Sequence, residues 1–139
     1  MLENEKIIDQ FKKSLSATVK SIGKSEDLEI EFVNENPSIN GKKINLTIPS
    51  ISSLKNNLNY LRAEADTMAL EIRLHNSKVH KKYLSSNDIA NEIFTCLEHS
   101  RIEAKGSLIF KGIKSNIFAK QAIEQGIYRG QSQDLGFRT

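Results

Sequence analysis

"LRAEADTMALEIRLHN", residues Leu61 to Asn76, predicts the central helix of the fold. Apolar residues upstream continue its pattern, so that one stripe repeats at alternating steps of four and three residues. The stripe consists of Leu54, Leu58, Leu61, Ala65, Met68, Ile72 and His75. Because residues at this spacing share one face of a helix, that face must be buried. We therefore predict a long helix at the centre of the domain, with Ser52 or Ser53 as its N-cap.

Further helices are predicted on both sides of this stretch. The first runs to about Ile22, where Gly23 stops it. A later helix begins at Asn87 or Asp88, and its apolar side comprises Ile89, Ile93, Leu97 and Ile102. Gly106 and Gly112 are expected to weaken regular helix. A last helix is expected from about Ser115 to Gln125.

Two short segments before the central helix alternate apolar and polar residues, which is typical of half-buried strands. They are "DLEIEFV" and "KINLTIP", separated by turn signals at Asn36-Pro37 and Asn40-Gly41. We expect them to pair in a small antiparallel sheet, with room for a brief third strand near Ser38–Ile39. The fold class is therefore α+β, a helical majority packed on this sheet. One domain should span residues 1–125, followed by a flexible tail or linker over residues 126–139.

Composition narrows the function classes. The chain has 139 residues, of which 27% are charged and 38% apolar, with a net charge of +3. Basic residues do not cluster with aromatic ones, and no apolar run approaches membrane-spanning length, so we expect neither a nucleic acid nor a membrane as partner. The single cysteine, Cys96, excludes an intrachain disulfide and suits a cytoplasmic location. We interpret Cys96 as a small buried hydrophobe.

Candidate chemistry centres on acidic and histidine side chains. Glu71 and His75 lie four residues apart on one helix face, and Glu98 or Glu103 could supply a third metal ligand. That pattern is weak, so a surface or boundary pair is the favoured interpretation and metal binding is the alternative. Glu98 and Arg101 can form a helical ion pair that fixes packing against Asp66 or Arg73. We find no phosphate-binding glycine loop and no G-x-S-x-G nucleophile motif.

Two stretches together resemble a known family. "ADTMALEIRLHNSKVH" and "EHSRIEAKGSLIFKGIKSNI" are similar to the N-terminal region of CobT, a subunit of the aerobic, ATP-dependent cobaltochelatase of cobalamin biosynthesis. The matching positions are Asp66, Ala69, Leu70, Arg73, His75, Val79, His80, Glu98, Arg101, Ile102, Glu103, Ala104, Gly106, Gly112 and Asn116. Ala63 and Asn76 depart mildly from the pattern. The resemblance spans roughly Phe11 to Ile117.

The resemblance implies a place in an enzyme that inserts cobalt into a corrinoid ring with ATP hydrolysis. Its complex uses ATP, magnesium and cobalt, and it includes an AAA+ motor subunit and a large corrinoid-binding subunit. The acidic segment and the adhesion-type domain of the family are not present in this sequence. The expected role is subunit assembly, with no catalytic residue, metal or cofactor carried by this domain. An acidic partner segment is a further expectation from the basic charge.

A weaker resemblance is to the scaffold of zinc peptidases, in which a strand pair precedes a His-Glu-x-x-His helix. Aligned in this way, Thr67 and Glu71 take the places of the two histidines and Met68 that of the general-base glutamate, while Glu98 falls at the third ligand. The hypothesis is a degenerate zincin-like scaffold without the metal. The competing enzyme hypothesis is a metallohydrolase with an atypical site at Glu71, His75 and Glu98.

Overall fold

The computed structural model describes the backbone of residues 2–134 and the side chains of residues 2–126, and this part of the chain is mostly helical. In chain order the elements are α1 (Glu3–Gly23), β1 (Glu29–Val33), β2 (Ser38–Asn40), β3 (Lys43–Thr47), α2 (Ile51–Asn56), α3 (Leu58–Leu74), α4 (Ser77–Lys82), α5 (Asp88–Ile109) and α6 (Lys111–Asp134). The predicted α+β class with a helical majority is confirmed. No described helix combines the length and apolar character needed to cross a membrane.

The sheet is mixed rather than antiparallel, which corrects one detail of the prediction. Its order is β1-β3-β2, so β3 lies in the middle. β3 pairs antiparallel with β2 through the turn at Gly41, whose φ of 61° suits glycine, and parallel with β1. Alternation in the sequence reports which face of a strand is buried, but it carries no information about which edge a strand joins. The brief third strand expected near Ser38–Ile39 is β2.

Helix α3 occupies the centre of the domain, as predicted. It contacts α1, α5, α6 and β3, and it is buried on several sides, including Ala63 and Leu70 on the side opposite the predicted stripe. The core cluster comprises Leu15, Val19, Ile22, Leu28, Ile44, Leu46, Ala65, Ala69, Leu70, Ile102, Ile113 and Ile117. Alanines at positions 63, 65 and 69 are fully buried, because small side chains let neighbouring helices approach α3 closely.

The predicted long helix is divided in two. α2 is capped by Ser50, whose side chain accepts a hydrogen bond from the Ser53 backbone, instead of by Ser52 or Ser53 themselves. The chain bends at Asn57 before α3 begins, and His75 follows the last helical residue in an extended conformation. This placement directs His75 away from the core stripe and toward α5.

The prediction that Gly106 and Gly112 weaken regular helix is wrong, because both glycines lie within helices. α5 continues through Gly106 to Ile109, and α6 begins at Lys111 and contains Gly112. A Cβ at Gly106 would lie 2.3 Å from Leu70 Cδ1, so the missing side chain serves the close contact of α5 with α3. α6 passes the predicted end at residue 125. The start of the predicted tail at residue 126 remains a prediction, and residues 135–139 lie outside the described part.

Helix α5 is buried over only part of its length, contrary to the prediction for its apolar side. Ile102 is 2% exposed, whereas Ile89, Ile93 and Leu97 are 70%, 57% and 64% exposed. Cys96 is also exposed, so its interpretation as a buried hydrophobe is wrong. Among the described residues, none covers the face of α5 that carries Ile89, Ile93 and Leu97.

Candidate functional site

The C-terminal end of α3 meets α4 and α5 at a group of polar side chains that we call the junction cluster. Its members are His75, His80, Glu98 and Arg101. Arg101 Nε donates to Glu98 Oε2 at 2.8 Å, and Arg101 Nη2 donates to Glu98 Oε1 at 2.7 Å. The same Nη2 donates to the Leu74 carbonyl oxygen at 3.1 Å. Arg101 therefore satisfies a carbonyl that the last turn of α3 leaves without a helical partner.

Glu98 is the centre of this cluster. Its Oε1 lies 3.0 Å from His75 Nδ1, and the side chains of both residues are largely buried. The hydrogen bonds from Arg101, assisted by the contact with His75, lower the pKa of Glu98 to about 2 despite the opposing effect of burial. Glu98 in turn raises the pKa of Arg101. The cluster thus holds a carboxylate that stays ionised throughout the neutral range.

His80 connects the short helix α4 to α5. Its ring stacks on Phe94 with a centroid distance of 4.5 Å, and its Nε2 lies 3.4 Å from Thr95 Oγ1. The His75 and His80 rings meet edge to face at 5.1 Å. The two histidines therefore join α4, α5 and the end of α3 through one continuous set of contacts, beside a cavity of about 420 Å³.

The three candidate metal ligands do not converge. His75 and Glu98 are in contact, but Glu71 lies with His75 in a different depression, next to Ile39 and Gly41. Both Glu98 oxygens accept hydrogen bonds from Arg101, so a metal here would compete with the positive charge of Arg101. Within residues 2–126, no group of three or more His, Cys, Asp or Glu side chains is placed to hold a metal ion. The expectation that this domain carries no metal, with Glu71, His75 and Glu98 as the alternative ligands, remains a prediction.

The positions aligned with peptidase ligands are packed within the fold. Met68 contacts the hydrophobic core. The Thr67 hydroxyl is buried and has no hydrogen-bond partner among the described residues. The degenerate zincin-like scaffold therefore remains a sequence-based hypothesis, and the structure supplies no geometry for a general base at Met68.

A second polar site, which we call the Asp66 cleft, lies between α1, α3 and α6. It has a volume of about 450 Å³, and its polar lining includes Ser14, Thr18, Asn59, Arg62, Asp66 and Asn116. Asp66 is 4% exposed, and its Oδ2 accepts a hydrogen bond of 2.9 Å from Asn116 Nδ2. Burial raises the pKa of Asp66, with Asn116 and the charge of Arg62 acting in the opposite direction.

The residues that carry the family resemblance gather at these places, although they are far apart in the sequence. His75, His80, Glu98 and Arg101 form the junction cluster, and Asp66, Gly112 and Asn116 line the Asp66 cleft. Three further positions join helices. Arg73 Nη1 donates to the Ile22 carbonyl oxygen at 3.3 Å, Glu103 accepts a hydrogen bond from Gln121, and Gly106 contacts Leu70. The predicted pair Glu98–Arg101 forms, but its partners are His75 and Leu74 instead of Asp66 or Arg73.

Two side chains that hold elements together around these sites, Glu64 and Phe94, are not identified from the sequence. Glu64 is buried and accepts hydrogen bonds from the Thr47 backbone N–H at 3.0 Å and the Thr47 hydroxyl at 3.1 Å, which joins α3 to the end of β3. Phe94 supplies the surface on which His80 stacks. A buried glutamate among alanines gives no periodic signal, and Phe94 reads only as one more apolar residue of α5.

This geometry defines a helical α+β domain in which polar clusters brace the contacts between helices. A sequence model described as "Cobalamin biosynthesis protein CobT" matches residues 5–135, nearly the whole chain. The chain therefore belongs to the CobT family of cobalamin biosynthesis proteins, which confirms the resemblance found in the sequence. No solved structure matches the chain.

Proposed function

We propose that this chain is a non-catalytic N-terminal domain of the CobT subunit of an ATP-dependent cobaltochelatase, and that it assembles with the AAA+ motor subunit. The family match supports a place in cobalamin biosynthesis. Cobalt and the corrinoid ring are the substrates of the proposed complex, ATP with magnesium drives it, and the large corrinoid-binding subunit is its third component. The proposed location is the cytoplasm.

The observation that carries the assembly role is an exposed surface that we call the α4–α5 surface. Its apolar side chains are Val79, Tyr83, Leu84, Ile89, Ile93 and Leu97. Ile89, Ile93 and Leu97 follow one another at four-residue steps, so they share one face of α5. Exposed apolar side chains concentrated in this way mark an interaction site more often than an ordinary surface.

The α4–α5 surface is held in a defined shape. The junction cluster fixes both helices to the end of α3. The loop between the helices is ordered by Asn91, whose side chain accepts a hydrogen bond from the Ser85 backbone N–H and donates one to the Ser85 carbonyl oxygen. Asn87 caps α5. A surface that is ordered before binding loses less conformational entropy when a partner docks.

Charge supports an acidic partner at the same surface. α4 carries Lys78, Lys81 and Lys82, all exposed. Three lysines on a helix of six residues attract an acidic face of the motor ring or an acidic segment of another subunit. Binding should therefore weaken as salt rises, since screening shortens the reach of these charges.

The decisive experiment measures binding of the purified motor subunit in the presence of ATP and magnesium. Ile93→Glu with Leu97→Glu should weaken binding about tenfold or more, because the pair places charge at the centre of an apolar contact. Leu108→Glu is the matched control, since Leu108 is an 88% exposed leucine on the C-terminal half of the same helix. Equal binding by both variants would reject the α4–α5 surface as the docking site.

Metal analysis of the purified protein distinguishes the metallohydrolase alternative from the assembly domain. His75 and Glu98 are in contact, which is the observation in its favour. Stoichiometric zinc in the purified protein, lost in Glu98→Gln and in Glu71→Gln, would support the enzyme. Protein that purifies without zinc and binds the motor subunit would support the assembly domain.

A further inference from the structure

The Asp66 cleft contains a buried carboxylate that Arg62 influences through its charge but with which no described residue forms an ion pair. Within residues 2–126, no lysine or arginine nitrogen forms an ion pair with Asp66. Its single hydrogen bond comes from the neutral amide of Asn116 and reaches only Oδ2. Removing a carboxylate from water without a cation is costly, and a neutral amide offsets only part of that cost.

The second oxygen of Asp66 is available to the cleft. Oδ1 accepts no hydrogen bond from the described residues, yet it is not among the wholly buried polar atoms that lack a partner, which are Asn45 Oδ1 and Thr67 Oγ1. Asp66 itself lines the cleft. Oδ1 therefore keeps a small exposure, on a residue that lines the cleft.

The rest of the cleft suits a long cationic side chain. Its volume of about 450 Å³ lies in the range of small-molecule sites. Phe11 and Leu15 supply an apolar wall for methylene groups, and the hydroxyls of Ser14 and Thr18 and the amide of Asn59 supply polar contacts near it. Arg62 is exposed, so its charge is largely solvated and can pair with an acidic neighbour of the incoming cation.

We propose that the Asp66 cleft receives the side chain of an arginine or lysine from a protein partner, with Asp66 Oδ1 as the acceptor of its charged N–H group. Charge complementarity selects this occupant, because a cation supplies what the buried carboxylate lacks. The cleft lies at the N-terminal half of α3 and the α4–α5 surface at its C-terminal end. Asp66 and Leu74 are separated by about 12 Å along the helix axis, at 1.5 Å per residue. The two contacts can therefore be tested separately.

The test is an NMR titration of the isotopically labelled chain with Nα-acetyl-arginine amide. The control ligand is Nα-acetyl-citrulline amide, in which a neutral urea replaces the guanidinium at nearly the same shape. The arginine probe should shift the backbone amides around Asp66, Gly112 and Asn116. The citrulline probe should bind about tenfold more weakly, because its N–H groups carry no charge.

Asp66→Asn is the decisive variant. It keeps an oxygen to accept from Asn116, so the fold is retained, but it should weaken the arginine probe about tenfold. Glu92→Gln, an exposed change on α5 outside the cleft, should leave binding unchanged. Gly112→Leu should also weaken the probe, because Gly112 lines the cleft, a Cβ there meets nothing within 4 Å, and a larger side chain would take up space that the probe needs.

Three results would overturn the proposal. Equal shifts with the arginine and citrulline probes would show that charge is not recognised. Unchanged binding by Asp66→Asn would exclude this carboxylate as the acceptor. The same amide shifts produced by magnesium chloride alone would assign the cleft to a divalent ion. The α4–α5 variants Ile93→Glu and Leu97→Glu should leave the probe titration unchanged. The proposal for the Asp66 cleft can therefore fail without the assembly proposal failing, and the reverse also holds.

Discussion

The two halves of α5 both carry apolar side chains, but only the C-terminal half contributes buried residues to the core. Ile102 and Gly106 in the C-terminal half are buried against the rest of the fold, and Leu70 lies directly beside Gly106. Ile89, Ile93 and Leu97 in the N-terminal half are more exposed than buried. The comparison teaches that one helix can contribute side chains to the core from one half and leave an apolar face exposed on the other. The junction cluster stands between the two halves.

The largest effect is expected from shortening isoleucine in each half. Ile102→Ala should reduce the free energy of unfolding by about 2–4 kcal/mol, because it removes buried methyl groups and leaves a cavity. Ile93→Ala should change it by less than about 0.5 kcal/mol, since Ile93 is already exposed. Urea unfolding monitored by circular dichroism gives both values. Similar losses in the two variants would show that the N-terminal half is buried in solution.

A smaller effect is expected from adding a methyl group at two glycines. Gly106→Ala should cost about 1–3 kcal/mol, because the new Cβ would overlap the fully buried Leu70 side chain, which would have to shift in a packed core. Gly112→Ala is the matched control, as its Cβ meets nothing within 4 Å and alanine favours helix. Thermal unfolding of the two variants should shift in opposite directions. An unchanged midpoint for Gly106→Ala would mean that the contact with Leu70 relaxes freely.

The junction cluster predicts that the free energy of unfolding decreases in acid. The pKa of Glu98 falls from its ordinary 4.5 to about 2, so its stabilising contribution is present above pH 4.5 and is lost as the pH falls from 4.5 toward 2. Glu98→Gln should lower the stability by about 1 kcal/mol at pH 7, a modest value because Arg101 is partly exposed. The difference between wild type and variant should vanish near pH 2. Glu92→Gln, an exposed change on the same helix, should show no such convergence in pH-dependent urea unfolding.

Sequence reasoning recovered the features that depend on local periodicity. The central position of α3, the strand pattern before it and the Glu98–Arg101 pair all follow from spacing along one element. The family positions were also recognisable, although their convergence at the junction cluster and the Asp66 cleft required the fold. Residues such as Asp66 and Asn116 are fifty positions apart, and no local pattern relates them.

The errors share a physical cause. An apolar stripe reports that a face avoids water, but it does not say whether the same chain or a partner covers that face. Ile89, Ile93, Leu97 and Cys96 were therefore assigned to the core. In the same way, strand alternation does not fix strand partners, and a glycine in a helix can mark a close contact instead of a break. Gly106 is the example. Glycine is required there because Leu70 of the neighbouring helix α3 lies against it, and the residues next to Gly106 in the sequence give no sign of this contact.

The smallest effect on stability, and the most direct probe of the exposed half of α5, is expected at Cys96. Because its thiol is exposed, Cys96→Ser should leave the unfolding midpoint unchanged within about 0.5 kcal/mol. In the native protein Cys96 should react with a thiol reagent at a rate close to that of a cysteine placed at the exposed position Leu108 in the Cys96→Ser background. If Cys96 reacts slowly until the chain unfolds, the N-terminal half of α5 is not exposed in the native protein. If the motor subunit docks on the α4–α5 surface, it should slow the reaction of Cys96, which lies between Ile93 and Leu97 in the chain, and leave the reaction at position 108 unchanged.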